Sequence, residues 1–306
     1  MAFEFDYVFF TASGALAARI YRDVDDLVTR RPAVLVTGSW LTVKEQMPHR
    51  YALALADEGF TAVTFDFSGF GASAGSPQQA ELPSRKVGEI TAVAEILDTL
   101  SFVRPGGIGH LGVCASAQYA LRALGRGAPV AAFASVAGWF HDTATIAAFY
   151  GGQAGLAMRF DRARQALAAF QDSAEVRMVP ASDEGNDRAG MFLPLDYYAS
   201  PARGAVPQWR NEMAELTWLY WLTFDGLSGA EEVSTPTVFV HSDDCVLPGN
   251  VHALADRMPH AELAWGEGSQ TDFYDQPGQV AFAIRAAARH FRAHLTPARG
   301  REPARD

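Results

Sequence analysis

The sequence predicts an α/β protein, with a mostly parallel sheet flanked by helices and a helical cap inserted into it. Short apolar segments that suit buried strands alternate with longer segments whose apolar residues recur at helical spacing. The alternation stops after Gly138, and residues 139–230 are helical in pattern and rich in aromatic side chains. Strands resume beyond this segment, and one sheet needs both halves. We therefore predict a core formed by 1–138 and 231–295, with a cap at 139–230.

The elements of the amino-terminal half follow from polarity patterns. Two apolar segments meet at Gly14 and predict a β-hairpin. Four apolar runs suit strands that are buried on both faces, namely 32–38, 62–67, 108–113 and 130–137. The segments between them predict helices over 44–58, 86–100 and 115–125.

The carboxyl-terminal part repeats the alternation. Apolar runs at 237–241 and 261–265 predict two more strands, and helices are expected over 250–258 and 280–295. The tail, 296–306, is rich in proline, arginine and glycine, and we expect it to be flexible.

Composition and charge limit the partners and the compartment. The chain has 306 residues and a net charge of −10, from 25 Lys and Arg against 35 Asp and Glu. That charge repels phosphate backbones and anionic lipid, so we expect neither nucleic acid nor a membrane as a partner. No apolar run approaches the length of about 18 residues that a membrane span needs. The acidic first residues do not suggest a signal peptide, and two distant cysteines fit a reducing compartment, so we expect a cytoplasmic protein.

Cofactor motifs are not visible in the sequence. The glycine-rich segment 69–75 lacks the helix directly behind it that would bind a pyrophosphate, and there is no P-loop. Histidines and cysteines do not cluster at ligand intervals, so we expect no metal and no cofactor. The oligomeric state is open, with a homodimer among the alternatives.

The strongest local motif is the segment GVCAS at 112–116, between a predicted strand and a predicted helix. A nucleophile at Cys114 would sit on a tight turn above the carboxyl edge of the sheet. The amino end of the following helix would favour its thiolate, whose ordinary pKa is about 8.5. The alternative is a buried structural cysteine, which is the usual role of a free cysteine. The position favours the nucleophile.

A second polar segment follows the predicted strand 237–241. Asp244 stands where an acid would orient a catalytic base. Asp243 is the alternative for that role, or it caps the next helix. Cys245, beside them, is interpreted as structural.

Together these segments resemble the α/β-hydrolase superfamily, whose catalytic residues follow the chain order nucleophile, acid, base. The cysteine in the turn is similar to that of the dienelactone-hydrolase branch, and segments 38–46 and 66–73 fit the same fold. The cap segment 198–211 is similar to a narrower group that includes fungal polyketide transferases. In such a site the amide of Ala115, with that of Ser39 or Trp40, would form an oxyanion hole.

The chain departs from this family at the base. The family pattern places a catalytic histidine shortly before residues 272–275, where this sequence has Gln270. An amide takes up no proton at neutral pH, although it can hold a thiol, a water or a carbonyl by hydrogen bonds. His141, where the chain leaves the sheet for the cap, and His241 are candidates for a displaced base. His141 is the stronger one, with a structural role as an equal alternative.

Aromatic residues are concentrated in the cap, and we expect some of them to line an apolar pocket for a small-molecule substrate. The candidate substrate-binding residues are Trp139, Tyr198, Trp209 and Trp218, with Arg210 or Asn211 placed to meet a polar end of the substrate.

These features predict an enzyme that transfers an acyl group from an apolar ester, lactone or thioester through Cys114. A thiolate can be acylated without a strong base, whereas release of the acyl group to water needs one. The missing histidine therefore favours a second substrate over water as acceptor. The alternative is a protein without acyl chemistry, either a cyclase or lyase of secondary metabolism or a ligand-binding protein, and Gln270 supports it.

Overall fold

The computed structural model describes residues 2–295, and the predicted flexible tail lies outside these residues. Ten strands are present in this part of the chain: β1 (Ala2–Thr11), β2 (Gly14–Asp23), β3 (Arg31–Thr37), β4 (Thr61–Phe65), β5 (Val103–Val113), β6 (Ala132–Val136), β7 (Met178–Val179), β8 (Met213–Ala214), β9 (Thr237–His241) and β10 (Ala261–Trp265). The α-helices in the same part are α1 (Met47–Asp57), α2 (Pro83–Thr99), α3 (Ala115–Gly125), α4 (Thr143–Phe149), α5 (Gly152–Ser173), α6 (Asp196–Ala199), α7 (Thr217–Trp221), α8 (Pro248–Arg257), α9 (Asp272–Asp275) and α10 (Pro277–His294). A 3₁₀ turn at Ala230–Glu232 precedes β9.

Eight of the strands form one mostly parallel sheet, in the order β1-β2-β4-β3-β5-β6-β9-β10. The pairs β1–β2 and β2–β4 are antiparallel, and the remaining neighbours are parallel. The predicted fold class is therefore confirmed, including the amino-terminal hairpin that turns before Gly14.

The central strands are buried on both faces, as their uniformly apolar sequences predict. Every residue of β4, β6 and β9 is buried. Helix α2 packs against α3, and α1 packs against α10, which covers the sheet with two helical layers. No helix within residues 2–295 combines the length and the apolar character that crossing a membrane requires.

The segment between β6 and β9, residues 139–230, contains helices α4 to α7 and a small second sheet. The strands β7 and β8 of this sheet pair antiparallel, with Val179 opposite Met213. The sequence did not predict this sheet, because a pair of two-residue strands leaves no periodic pattern. Trp221 of α7 stacks on Trp40 with ring centroids 4.7 Å apart, which attaches the segment to the loop after β3.

The carboxyl ends of the parallel strands meet at one edge of the sheet. The loops after β3, β5, β6, β9 and β10 therefore lie close together, beneath the residues that lead into and out of the cap segment. The polar residues that the sequence placed after these strands are thus brought to a common edge.

Candidate active site

Cys114 lies on a sharp turn between β5 and α3. Its backbone has φ +54° and ψ −121°, a strained conformation for a residue that carries a side chain. The turn needs small neighbours, because a Cβ on Gly112 would lie 2.9 Å from the Cα of Ala117. A strained turn from strand to helix, with close-packed small residues, is the geometry that presents a nucleophile.

Four polar groups near the Cys114 sulfur act to lower its pKa. They are the amides of Ala115 and Trp40 and the hydroxyls of Ser39 and Tyr274. Paired backbone amides are the donors from which oxyanion holes are commonly built. Ser39, which the sequence analysis also considered as an amide donor, contributes its hydroxyl instead.

The two hydroxyls belong to a chain of polar groups beside the sulfur. Tyr198 Oη donates to Ser39 Oγ at 3.0 Å, and Ser39 Oγ lies 3.2 Å from Tyr274 Oη. All three side chains are buried. Tyr274 is a site residue that the sequence analysis did not single out, although it belongs to the 272–275 segment used to locate the missing histidine.

Gln270 reaches this cluster through Tyr274. Its Nε2 donates to Tyr274 Oη at 3.1 Å and to the carbonyl oxygen of Ala137 at 2.8 Å. Its Oε1 accepts from the amide of Val246 at 3.1 Å. Both amide hydrogens are therefore used, and Gln270 holds the Tyr274 hydroxyl toward Cys114 rather than binding the sulfur itself.

Burial dominates the electrostatics of the thiol. Cys114 is 5% exposed, and this burial raises its pKa above the ordinary value, although the four polar groups oppose the shift. The amide of Ala115, at the amino end of α3, lowers the pKa of the thiol as expected, but desolvation outweighs this effect. At neutral pH the sulfur carries its proton.

Cys114 forms part of the wall of a cavity of about 80 Å³. Its lining is apolar or aromatic apart from a few uncharged polar groups near the sulfur. The lining residues are Ser39, Trp40, Cys114, Ala115, Trp139, Phe149, Tyr150, Gly190, Met191, Phe192, Leu193, Leu195, Tyr198, Trp221, Val246, Gln270, Thr271 and Tyr274. Such a lining favours an uncharged, apolar ligand.

Known proteins share the fold of this chain. A comparison with protein-family models finds no match. The uncharacterised protein YcjY of Escherichia coli is 28% identical over 267 residues, which is 83% of this chain and 85% of YcjY. The polyketide transferase claH of Penicillium crustosum is 31% identical over 108 residues, which is only 35% of each chain.

Two solved structures superpose over almost the whole chain. The hypothetical protein PA2218 of Pseudomonas aeruginosa has a TM-score of 0.84 at 22% identity, covering 96% of this chain and 94% of PA2218. The alpha/beta hydrolase GrgF of Penicillium sp. sh18 has a TM-score of 0.80 at 18% identity, covering 95% and 99%. This chain has the α/β-hydrolase fold. Identities this low establish the fold and no activity.

In this α/β-hydrolase fold, Asp244 does not take the position of the catalytic acid that the sequence predicted for it. The side chain of Asp244 is exposed and has no hydrogen-bond partner within the described residues. The carbonyl oxygen of Gln270 instead accepts from a backbone amide. Asp243 is also exposed and accepts from Trp265 Nε1 at 3.2 Å, so neither aspartate belongs to the polar cluster around Cys114.

The structure does not place His141 in the cavity beside Cys114 either. Its Nδ1 accepts from Trp139 Nε1 at 2.7 Å, and its Nε2 donates to the carbonyl oxygen of Trp221 at 3.0 Å. Burial lowers its pKa to about 4, so the ring is neutral, and it has no free lone pair for a proton. His241 is buried with its Nε2 3.2 Å from the Val246 carbonyl oxygen. In residues 2–295, no histidine lines the α/β-hydrolase pocket.

Two of the predicted pocket walls lie in the pocket, and two lie one layer behind it. Trp139 and Tyr198 line the cavity. Trp209 packs on Tyr198 with ring centroids 5.4 Å apart, and its Nε1 donates to the carbonyl oxygen of Leu41 at 2.8 Å. Trp218 packs on Trp40 at 5.8 Å. Both back-layer tryptophans thus support lining residues without contributing to the lining.

The predicted polar contacts at Arg210 and Asn211 are wrong. Both side chains are on the protein surface. Arg210 pairs with Glu212, and Asn211 Oδ1 accepts from the amide of Ser182 at 2.7 Å. The sequence of this segment, rich in aromatic and polar residues, predicted that both side chains lie close to the substrate pocket, but they point to solvent.

A buried ion pair beside the loop after β3 was missed by the sequence analysis. Glu81 Oε1 lies 2.7 Å from Lys86 Nζ and accepts from Tyr119 Oη at 2.7 Å. Its Oε2 accepts from the amide of Leu41 at 3.2 Å. Leu41 has φ +59° and directly follows Trp40. The carboxylate thus holds the turn that presents the Trp40 amide to the sulfur.

Proposed function

We propose that the chain is an acyl-transfer enzyme that uses Cys114 as its nucleophile and accepts an apolar ester, lactone or thioester. One observation carries this proposal: a cysteine on a strained strand-to-helix turn, with the amides of Ala115 and Trp40 near its sulfur, lies at the wall of an uncharged cavity. The amides of Ala115 and Trp40 would stabilise the oxyanion that forms on the substrate carbonyl. The partial similarity to a polyketide transferase agrees with this chemistry.

The acylation step needs no histidine if the leaving group takes the proton. The Cys114 sulfur bonds to the carbonyl carbon while the bond from that carbon to the leaving atom breaks. The thiol proton passes to the leaving atom, directly or through the Tyr274 hydroxyl beside the sulfur. A thioester suits this exchange, since its thiol is a less basic leaving group than the alcohol of an ester. Thioesters are therefore the donors we favour.

Release of the acyl group follows the same logic. Water needs a general base, and the Gln270 amide cannot accept a proton. A thiol acceptor can instead reverse the first step and carry the acyl group away. Transfer to a second substrate is thus expected to be faster than hydrolysis.

Thiol release from an aryl thioester tests the proposal. The full chain is mixed with S-phenyl thiobutyrate, and thiophenol is followed with and without a small thiol acceptor. We expect release by the native chain, faster with acceptor, and loss of release in Cys114→Ala. Cys245→Ala is the matched control, because Cys245 is buried but does not line the cavity. Equal release by Cys114→Ala and the native chain would overturn covalent catalysis.

A second candidate function rests on the neutral hydrogen-bonding groups around Cys114. A protonated Cys114 beside the hydroxyls of Ser39, Tyr198 and Tyr274 forms a set of neutral donors, which suits binding and shaping of an apolar carbonyl compound without a covalent step. In that case Cys114→Ala retains ligand binding and turnover, and the same assay separates the two functions.

A further inference from the structure

Two histidines and a glutamate lie together at the edge of the sheet opposite Cys114. Glu262 is near the amino end of β10, and His290 and His294 are one turn apart near the carboxyl end of α10. Each residue offers one ligand atom, and the three atoms lie within 4.8 Å of one another. The two imidazole rings have centroids 4.6 Å apart.

The hydrogen bonding of His290 prepares one ring nitrogen for a ligand. Its Nε2 lies 3.0 Å from the carbonyl oxygen of Pro236, and a carbonyl oxygen only accepts, so Nε2 carries the hydrogen. Nδ1 therefore presents a lone pair. This atom is buried and has no hydrogen-bond partner within residues 2–295, in a side chain that is only 3% exposed. Metal-binding histidines usually donate their second nitrogen to a carbonyl in this way.

We propose that Glu262, His290 and His294 bind a divalent transition metal ion, with zinc as the preferred ion. Two imidazole nitrogens and one carboxylate oxygen form a common zinc ligand set, and water would complete the coordination. The ion would satisfy the buried lone pair of His290. It would also join the end of α10 to the edge strand β10.

The sequence analysis overlooked the spacing of four residues between His290 and His294, which is a ligand interval on a helix, and the carboxylate comes from a different element. The proposal is independent of the acyl chemistry.

Calorimetric titration of the chelator-treated full chain with zinc chloride tests the site. We expect one ion per chain with a dissociation constant below about 10 µM and a melting temperature that rises with zinc. His294→Ala and Glu262→Gln should each weaken binding by about tenfold or more. Both side chains are exposed, so these variants are expected to fold.

The matched control is His252→Ala. His252 is an exposed histidine on α8, where it packs on Trp265 and lies outside the proposed ligand set. This variant should bind zinc as the native chain does. The proposal would be overturned if the native chain bound zinc with a dissociation constant above about 10 µM. It would also be overturned if His294→Ala bound zinc as tightly as His252→Ala.

Discussion

Glu81→Gln tests whether the buried ion pair stabilises the loop that carries the oxyanion hole. The substitution keeps the size of the side chain and an acceptor for the Leu41 amide, but it leaves the Lys86 ammonium without its carboxylate. Both side chains are almost inaccessible, at 3% for Lys86 and 0% for Glu81. Breaking a buried pair on one side costs about 3–5 kcal/mol.

Neighbouring rings reduce this cost. Lys86 Nζ lies 4.4 Å and 4.3 Å from the ring centroids of Phe67 and Phe70, and these contacts persist in the variant. We therefore expect Glu81→Gln to lower the free energy of unfolding by about 3 kcal/mol, the lower end of the range for a broken buried pair. Urea unfolding followed by tryptophan fluorescence measures this change.

The double variant Glu81→Gln with Lys86→Met separates charge from packing. Removing both charges should recover most of the lost stability, since a buried pair is often replaced by apolar groups at little cost. Glu212→Gln, which breaks the surface pair with Arg210, serves as a control and should cost less than about 1 kcal/mol. A loss below about 1 kcal/mol in Glu81→Gln, or no recovery in the double variant, would refute the reasoning.

Three further predictions concern the site itself. Because burial raises the pKa of Cys114, its alkylation by iodoacetamide should accelerate steadily from about pH 7 to 9 as the thiolate fraction grows. An alkylation rate that reaches a plateau below about pH 8 would contradict the raised pKa. Gln270→His should speed hydrolysis of acylated Cys114 by about tenfold. This gain is smaller than the about 10²–10⁴-fold of an oriented base, since the exposed Asp244 does not orient the new ring. An unchanged hydrolysis rate, measured by mass spectrometry, would count against this placement of Gln270. His141→Ala should lower the free energy of unfolding by about 1–3 kcal/mol, because it removes two buried hydrogen bonds. The rate of thiophenol release should stay within about threefold of native. Loss of release in a folded variant would instead make His141 a base.

The parts of the fold that depend on local pattern were predictable. Uniformly apolar segments such as β6 and β9 had to be buried on both faces, and the short connections between strands and helices fixed their alternation. The turn at Cys114 could be found in the same way, since small residues flank a cysteine between a strand and a helix. Gln270 was singled out through the resemblance to the α/β-hydrolase superfamily, and Trp40 through its place after the first parallel strand.

Side-chain orientation was not predictable from those patterns. Asp244 and His141 both lie close in sequence to strand ends at the active edge, but one side chain points to solvent and the other is enclosed by indole and backbone partners. Burial of Cys114 outweighs the effect of the helix end, and burial depends on the packed cap. These outcomes are set by tertiary contacts.

The buried ion pairs left one signal in the sequence. Lys44 and Lys86 are the two lysines of a chain whose other basic residues are arginines. Both are buried and paired, Lys44 with Asp66 at 2.8 Å and Lys86 with Glu81 at 2.7 Å. A compact ammonium fits these enclosed sites, whereas the larger planar guanidinium of arginine has a different donor geometry.

Intact-protein mass spectrometry after mixing with S-phenyl thiobutyrate gives the most direct test of the covalent intermediate. We expect the native chain and Cys245→Ala to gain one butyryl group, located on Cys114 by peptide mapping, and Cys114→Ala to gain none. The adduct should persist in buffer and disappear when a small thiol acceptor is added, because Gln270 does not activate water. A native chain that consumes the thioester without ever carrying the butyryl group, or a Cys114→Ala variant that turns it over equally well, would contradict acyl transfer through Cys114.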